Sequence, residues 1–173
     1  TKSQISRWAS NPIETQKKQL NYLIKNALNT SFGKAHGFSK INNYDDFKNS
    51  VPVRDYEGLR EYFELIKEGK KNVLWPGKPL YFAVTSGTTS GSKYIPITKQ
   101  SLPNHLKGAR IALLMYVAET GKVDFVNGKF IFVQGSPVLS KISGILTGRL
   151  SGISAHHIPF YMKKNMLPSW STN

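Results

Sequence analysis

Leu80-Tyr81-Phe82-Ala83-Val84-Thr85-Ser86-Gly87-Thr88-Thr89-Ser90-Gly91-Ser92-Lys93-Tyr94-Ile95-Pro96-Ile97-Thr98 is the stretch from which the rest of this 173-residue sequence can be read. Two β-prone apolar runs, Leu80 to Thr85 and Lys93 to Thr98, enclose a segment built only of small residues, and Pro96 gives the second run an edge or turn character. A loop that binds phosphate needs inward-pointing backbone N–H groups, glycine where the chain turns tightly, and short hydroxyl side chains that donate without blocking approach. Thr85, Ser86, Thr88, Thr89, Ser90 and Ser92 supply hydroxyls, Gly87 and Gly91 supply conformational freedom, and Lys93 adds a positive charge at the end.

The pattern departs from the P-loop of nucleoside triphosphatases. Three residues, not four, separate Gly87 from Gly91, Ser92 intervenes before the lysine, and Tyr94 stands where a Mg²⁺-binding hydroxyl is needed. A strand is expected after Lys93, whereas the P-loop lysine opens a helix whose N-terminus faces the phosphates. A merely flexible Ser/Thr turn fits less well, because linkers seldom lie between two apolar runs.

Upstream, the pattern is helical. Ile13, Gln16, Leu20, Leu23, Ile24, Ala27 and Leu28 recur at helical spacing after Pro12 and predict an amphipathic helix over residues 12 to 28. Residues 29 to 38 read as a turn-rich connection pinned by Phe32 and Phe38, with His36 a hydrogen-bonded structural residue. A short helix is expected from Tyr44 to Ser50, with Asp45 and Asp46 near its positive end. Another runs from an Asp55 cap through Lys67 or Glu68 to a stop at Gly69, with Glu57, Glu61, Glu64 and Glu68 on a solvated face and Glu64 attracting Lys67. Trp75-Pro76-Gly77-Lys78-Pro79 then marks a turn segment.

Downstream, residues 100 to 120 predict a long helix with Leu102, Leu106, Ala109, Leu113, Tyr116 and Val117 on its apolar side, ended by Gly121. Lys129 to Gln134 reads as a buried strand, and residues 135 to 173 as loop with short helices. The fold class expected is α/β. Residues 1 to 173 are expected to be mainly helical over 1 to 74 and α/β over 75 to 173, with the loop at 85 to 93.

Composition excludes several classes. Hydrophobic residues at 39% and aromatics at 12% are globular values. No run approaches the roughly 18 apolar residues of a membrane span, and the first residues lack a secretory core. Without cysteine there is no disulfide framework and no thiolate chemistry, which suits a cytoplasmic protein. Residues 1 to 80 hold 14 basic and 8 acidic side chains and residues 81 to 173 hold 10 and 2, yet no basic run exceeds a pair. That spread argues against a nucleic-acid arm and for a solvated basic surface, with a surface that attracts an anionic nucleotide as the lesser alternative. His156 and His157 point apart on any regular element, so no metal site is expected there.

The segment Thr85-Ser86-Gly87-Thr88-Thr89-Ser90-Gly91 followed by Lys93 resembles the signature loop of adenylate-forming enzymes. Within that superfamily the chain resembles the auxin-responsive acyl-acid amido synthetases, bacterial members included. Thr30-x-Phe32-Gly33-Lys34-x-His36-x-Phe38, Val51-Pro52-Val53-x-x-Tyr56-Glu57, Trp75-Pro76-Gly77, Phe82-Ala83, Lys93 to Thr98, Gln134-Gly135-Ser136-Pro137 and Gly148-Arg149-Leu150-Ser151-Gly152 all look like that family. The resemblance implies the N-terminal part of an adenylate-forming large domain. It implies a ligase that forms an acyl-adenylate from a carboxylic acid and ATP, then an amide with an amino acid, with Mg²⁺ on the triphosphate. The nucleotide-binding residues it marks are Thr85, Ser86, Gly87, Thr88, Thr89, Ser90, Gly91 and Lys93; it assigns no catalytic residue in this chain.

Serine in this reading is a ligand, and Gly148 to Gly152 lacks the central serine of a nucleophile elbow. The acyl pocket is expected beside the helix bearing Arg110, Leu113, Leu114 and Met115, although core packing suits the three apolar residues and a surface position suits Arg110. The family's later adenine and ribose motifs find no match before Asn173, which leads us to expect an N-terminal fragment that does not turn over alone. The alternatives are an acyl-CoA ligase of the same superfamily and, outside enzymes, a basic anion- or nucleic-acid-binding module.

Overall fold

The computed structural model describes residues 2–85, 91–124, 127–132 and 135–169. The chain divides into two compact units, Ser3–Pro79 and Leu80–Asn173, the latter joined by Thr1–Lys2.

The first helix, α1 (Lys2–Ser10), is not among those expected; Ile5, Trp8 and Ala9 give it a short apolar stripe, yet none of its residues is buried. Helix α2 (Pro12–Ala27) begins at its proline, as expected, and buries Ile24 and Ala27. These two meet Phe38 and Ile41 in a core around which Leu20, Leu28, Phe32, Phe47, Val51 and Trp75 pack.

The supposed turn at residues 29 to 38 contains a one-turn helix, α3 (Ser31–Ala35). Buried Thr30 explains it: its Oγ1 donates to the Ala27 carbonyl at 2.7 Å and accepts from the Gly33 N–H at 2.9 Å, tying one helix end to the next helix start. A Cβ on Gly33 would overlap the Ala27 carbonyl oxygen, so the close approach of the two helices requires glycine there. His36 is structural, its Nδ1 2.8 Å from the Phe32 carbonyl and its ring stacked on Phe32 at 4.0 Å.

Helix α4 (Tyr44–Ser50) forms where expected, with the Asn43 side chain accepting from the Asp46 N–H at 2.9 Å. Asp55 caps and the helix ends at Lys67 as expected, but its first turn is corrected from α to 3₁₀. Asp55 Oδ1 accepts from the Gly58 N–H at 2.8 Å and holds a 3₁₀ turn, Glu57–Leu59, from which α5 (Arg60–Lys67) starts afresh. Ion pairs of 2.7 Å join Glu57 to Arg60 and Glu64 to Lys67, and Gly69 closes the helix at φ +89°.

In the second unit, β1 (Tyr81–Thr85) and β2 (Lys93–Ile97) pair antiparallel around the small-residue segment. Helix α6 (Leu102–Thr120) follows, then β3 (Phe130–Ile131), β4 (Ser140–Ile142), β5 (Ile145–Gly148), α7 (Leu150–His156), α8 (Phe160–Lys163) and β6 (Met166–Leu167). The main sheet has the order β2-β1-β5-β4, with β1 and β5 parallel and β4 and β5 a hairpin. Its two-residue turn, Ser143 and Gly144, has positive φ at both positions, the turn whose twist matches paired strands. Strands β3 and β6 form a separate parallel pair.

Residues 135 to 173 hold the short helices expected there, α7 and α8, but the sheet corrects the rest of that reading from loop to strand, because β5 is a central strand. Four residues among glycines and serines give no readable period, but Ile145 and Thr147 are each 4% exposed. The strand expected over Lys129 to Gln134 is reduced to Phe130–Ile131, and Val133 and Gln134 lie outside the described residues.

One face of the sheet buries Ala83 and Ile97 against Leu102 of α6 and Ile153 of α7, with Leu106 packed alongside. The apolar side predicted for α6 contributes little beyond that. Leu113 and Leu114 are 45% and 38% exposed and Tyr116 is 47% exposed, which overturns core packing for those leucines, while Arg110 is exposed as expected. No helix among the described residues is long and apolar enough to cross a membrane.

Candidate functional site

The loop is held at its base by the pairing of Thr85 with Lys93 in the β1–β2 ladder. Ser86, Gly87, Thr88, Thr89 and Ser90 lie outside the described residues. Gly91 has φ +81°, a backbone state that strains any residue with a Cβ, so the freedom expected of this glycine is used. A strand, not a helix, opens at Lys93, in keeping with the departure from the P-loop.

The parallel pairing of β1 with β5 aligns Ala83 with Gly148. The loop leaving β1 and the turn into α7 leaving β5 thus emerge at the same, C-terminal, end of two adjacent strands. Open α/β sheets place their ligands at this end.

Two motifs distant in sequence are locked together beside it. Ser151 Oγ accepts from the Gly135 N–H at 2.8 Å, and His156 Nε2 lies 2.7 Å from the Pro137 carbonyl. A Cβ on Gly152 would overlap the Ser136 carbonyl oxygen, and one on Gly135 would lie 2.8 Å from the Arg149 side chain. Gly152 therefore serves contact between two backbones, while Gly135 makes room for the Arg149 side chain. Sequence reading found both motifs without this connection, which spans 16 residues between Gly135 and Ser151.

Side-chain alternation puts Phe82, Val84, Tyr94, Thr147 and Ser140 on the sheet face opposite α6 and α7. An open cleft of about 440 Å³ lies on this face, with apolar walls from Val84, Tyr94, Val138, Leu139 and Ile142. Ser136, Ser140 and Thr147 contribute hydroxyls, and Arg149 is the one charged side chain among the described lining residues. Lys93 pairs with Thr85 and so belongs to the other face.

The two histidines at the end of α7 point to different partners, as expected for adjacent residues. His157 Nε2 is 3.1 Å from the Tyr81 hydroxyl, its ring edge-on to the tyrosine. Burial, with lesser contributions from His156 and Lys163, lowers the His157 pKa from its ordinary 6.5. A base whose pKa is lower folded than unfolded binds fewer protons in the native state, so its contribution to stability is full above the unfolded pKa and is lost as pH falls through the folded one. The urea midpoint should accordingly decline as pH drops below about 6.5, and His157→Gln should flatten that part of the profile.

Among the described residues no three His, Asp or Glu side chains gather as a metal cage.

The sequence profile of the GH3 family N-terminal domain matches residues 1–173, the whole chain. Indole-3-acetic acid-amido synthetase GH3.5 of Arabidopsis thaliana is 27% identical over 150 residues, covering 84% of this chain and 24% of that protein. Indole-3-acetic acid-amido synthetase GH3.15 of the same plant is 35% identical over 74 residues, 41% of this chain and 12% of that protein. The chain spans about a quarter or less of the length of the curated relatives it matches. In fold it is similar to the AtGH3.15 acyl acid amido synthetase in complex with 2,4-DB, with TM-score 0.72 and 18% identity over 92% of this chain and 29% of that one. A second GH3.15 acyl acid amido synthetase structure gives 0.69 and 22% over 86% and 27%. The helices followed by a mixed sheet are thus the α/β fold shared with the GH3.15 acyl acid amido synthetase structures, and this chain belongs to the GH3 family, whose N-terminal domain it carries.

Proposed function

We propose that this domain binds the ATP phosphates in an ATP-dependent acyl-acid amido synthetase, which activates a carboxylic acid as its acyl-adenylate and transfers the acyl group to an amino acid. The observation that carries the reading is the hydroxyl- and glycine-rich segment 85 to 93, pinned by the Thr85–Lys93 pair at the C-terminal end of a strand, in a GH3 chain.

Attack of a carboxylate on the α-phosphate brings two anions together, so the domain's task is positioning and charge neutralisation. Backbone N–H groups around Gly87 and Gly91 and the hydroxyls of Thr85, Ser86, Thr88, Thr89 and Ser90 form a donor set suited to phosphate oxygens, with Lys93 adding charge. The same donor set offers hard oxygen ligands that fit Mg²⁺ carried in on the triphosphate, where the ion would neutralise developing charge. Relatives named for indole-3-acetic acid and a structure holding 2,4-DB favour an acid with an aromatic ring as the first substrate. Dependence on ATP and free amino acids favours the cytoplasm.

The test is product analysis with the complete enzyme to which this domain belongs. With ATP, an aromatic acid and a mixture of amino acids, AMP and an amide should accumulate together. Release of ADP would exclude adenylation, and an acyl thioester formed with coenzyme A in place of an amide would favour the ligase alternative.

A further inference from the structure

We propose that Arg149 is an oxyanion-binding residue of the same site, contacting substrate from the sheet face opposite Lys93; this rests on the assignment of the loop to ATP. Arg149 continues β5 in extended conformation, with φ −67° and ψ 145°, so its side chain falls on the same face as Thr147. The register that aligns Ala83 with Gly148 sets Arg149 level with Val84, one strand away at a spacing of about 4.8 Å, and Val84 is the last residue before Thr85 opens the loop. Both line the cleft.

Three further observations suit the guanidinium to a ligand. Its stem is held over Gly135, where a Cβ would come within 2.8 Å of Arg149 Cδ. No described carboxylate forms an ion pair with it. Two of the three Ser and Thr hydroxyls lining the cleft are engaged as donors, Ser140 Oγ to the Thr147 carbonyl at 3.3 Å and Thr147 Oγ1 to the Ile145 carbonyl at 3.1 Å, while Ser136 Oγ accepts from the Val138 N–H at 3.2 Å. An oxyanion entering the cleft thus meets the Ser136 hydroxyl and one planar charged group with five donors, whose geometry matches phosphate and carboxylate alike. Phosphate is favoured because Arg149 is level with the base of the loop, so Lys93 and Arg149 would bracket a triphosphate from two faces.

Titration calorimetry of the complete enzyme with inorganic pyrophosphate, and separately with indole-3-acetate, tests this. Arg149→Gln should weaken pyrophosphate binding at least tenfold with an unchanged urea midpoint, and Arg149→Lys, which keeps the charge and loses the fork, should recover only part. A tenfold loss confined to indole-3-acetate supports the oxyanion role with the carboxylate as its source. Loss of less than twofold for both ligands overturns it, as does a parallel fall in the urea midpoint that Arg149→Lys restores together with full binding. If wild-type enzyme binds pyrophosphate through Arg149 yet never exchanges it into ATP, the adenylation reading fails while the oxyanion site stands.

Discussion

Gly152→Ala is expected to cost about 3 kcal/mol of stability, within the range of severe overpacking. The new methyl would overlap the Ser136 carbonyl oxygen, and backbone, unlike a flexible side chain, cannot swing aside. Helix α7 would have to withdraw. That movement would stretch the Gly135–Ser151 and Pro137–His156 hydrogen bonds and unpack Ile153 and Ala155, both completely buried. Since a domain has only about 5 to 15 kcal/mol in total, the loss would appear as a large fall in urea midpoint with little change in slope. Gly108→Ala is the matched control. Gly108 lies in the interior of α6 with open space around it, so the substitution should stabilise by about 0.5 to 1 kcal/mol. If both variants unfold at the wild-type midpoint, the backbone contact between Gly152 and Ser136 does not hold the second unit together.

This contact also shows what could be read from the chain and what could not. Elements that carry their own signal were legible. Proline and apolar spacing gave α2, Asn43 and the paired aspartates accompany α4, and the change from helical to extended patterning gave β1 and β2. Elements defined by their neighbours were not. Helix α1 buries nothing, β5 is four residues whose central place depends on pairing with β1, far away in sequence, and most of α6 leaves exposed the apolar side its period displays. Asp55 caps as read, but the first turn was given the wrong helix type, because a capping carboxylate serves a 3₁₀ turn as well as an α-helix.

For the site, hydroxyl and glycine content singled out residues 85 to 93, and the Thr85–Lys93 pairing and the backbone of Gly91 agree with a loop built for tight turning. Arg149 was missed as a candidate because its place beside the loop depends on the parallel register of β1 with β5. No spacing rule links residues 84 and 149.

The central claim is that residues 85 to 93 hold the phosphates during adenylate formation. In the reading proposed here, each hydroxyl of Ser86 and Thr88 donates to an oxygen whose charge grows in the transition state, and loss of one such donor typically costs about 10²-fold in rate. Acid-dependent exchange of labelled pyrophosphate into ATP reads the first step alone, before any amine is involved. The Ser86→Ala, Thr88→Ala double variant should lose at least about 100-fold in exchange rate while keeping the wild-type urea midpoint; exchange at the wild-type rate would contradict the assignment of this loop to ATP.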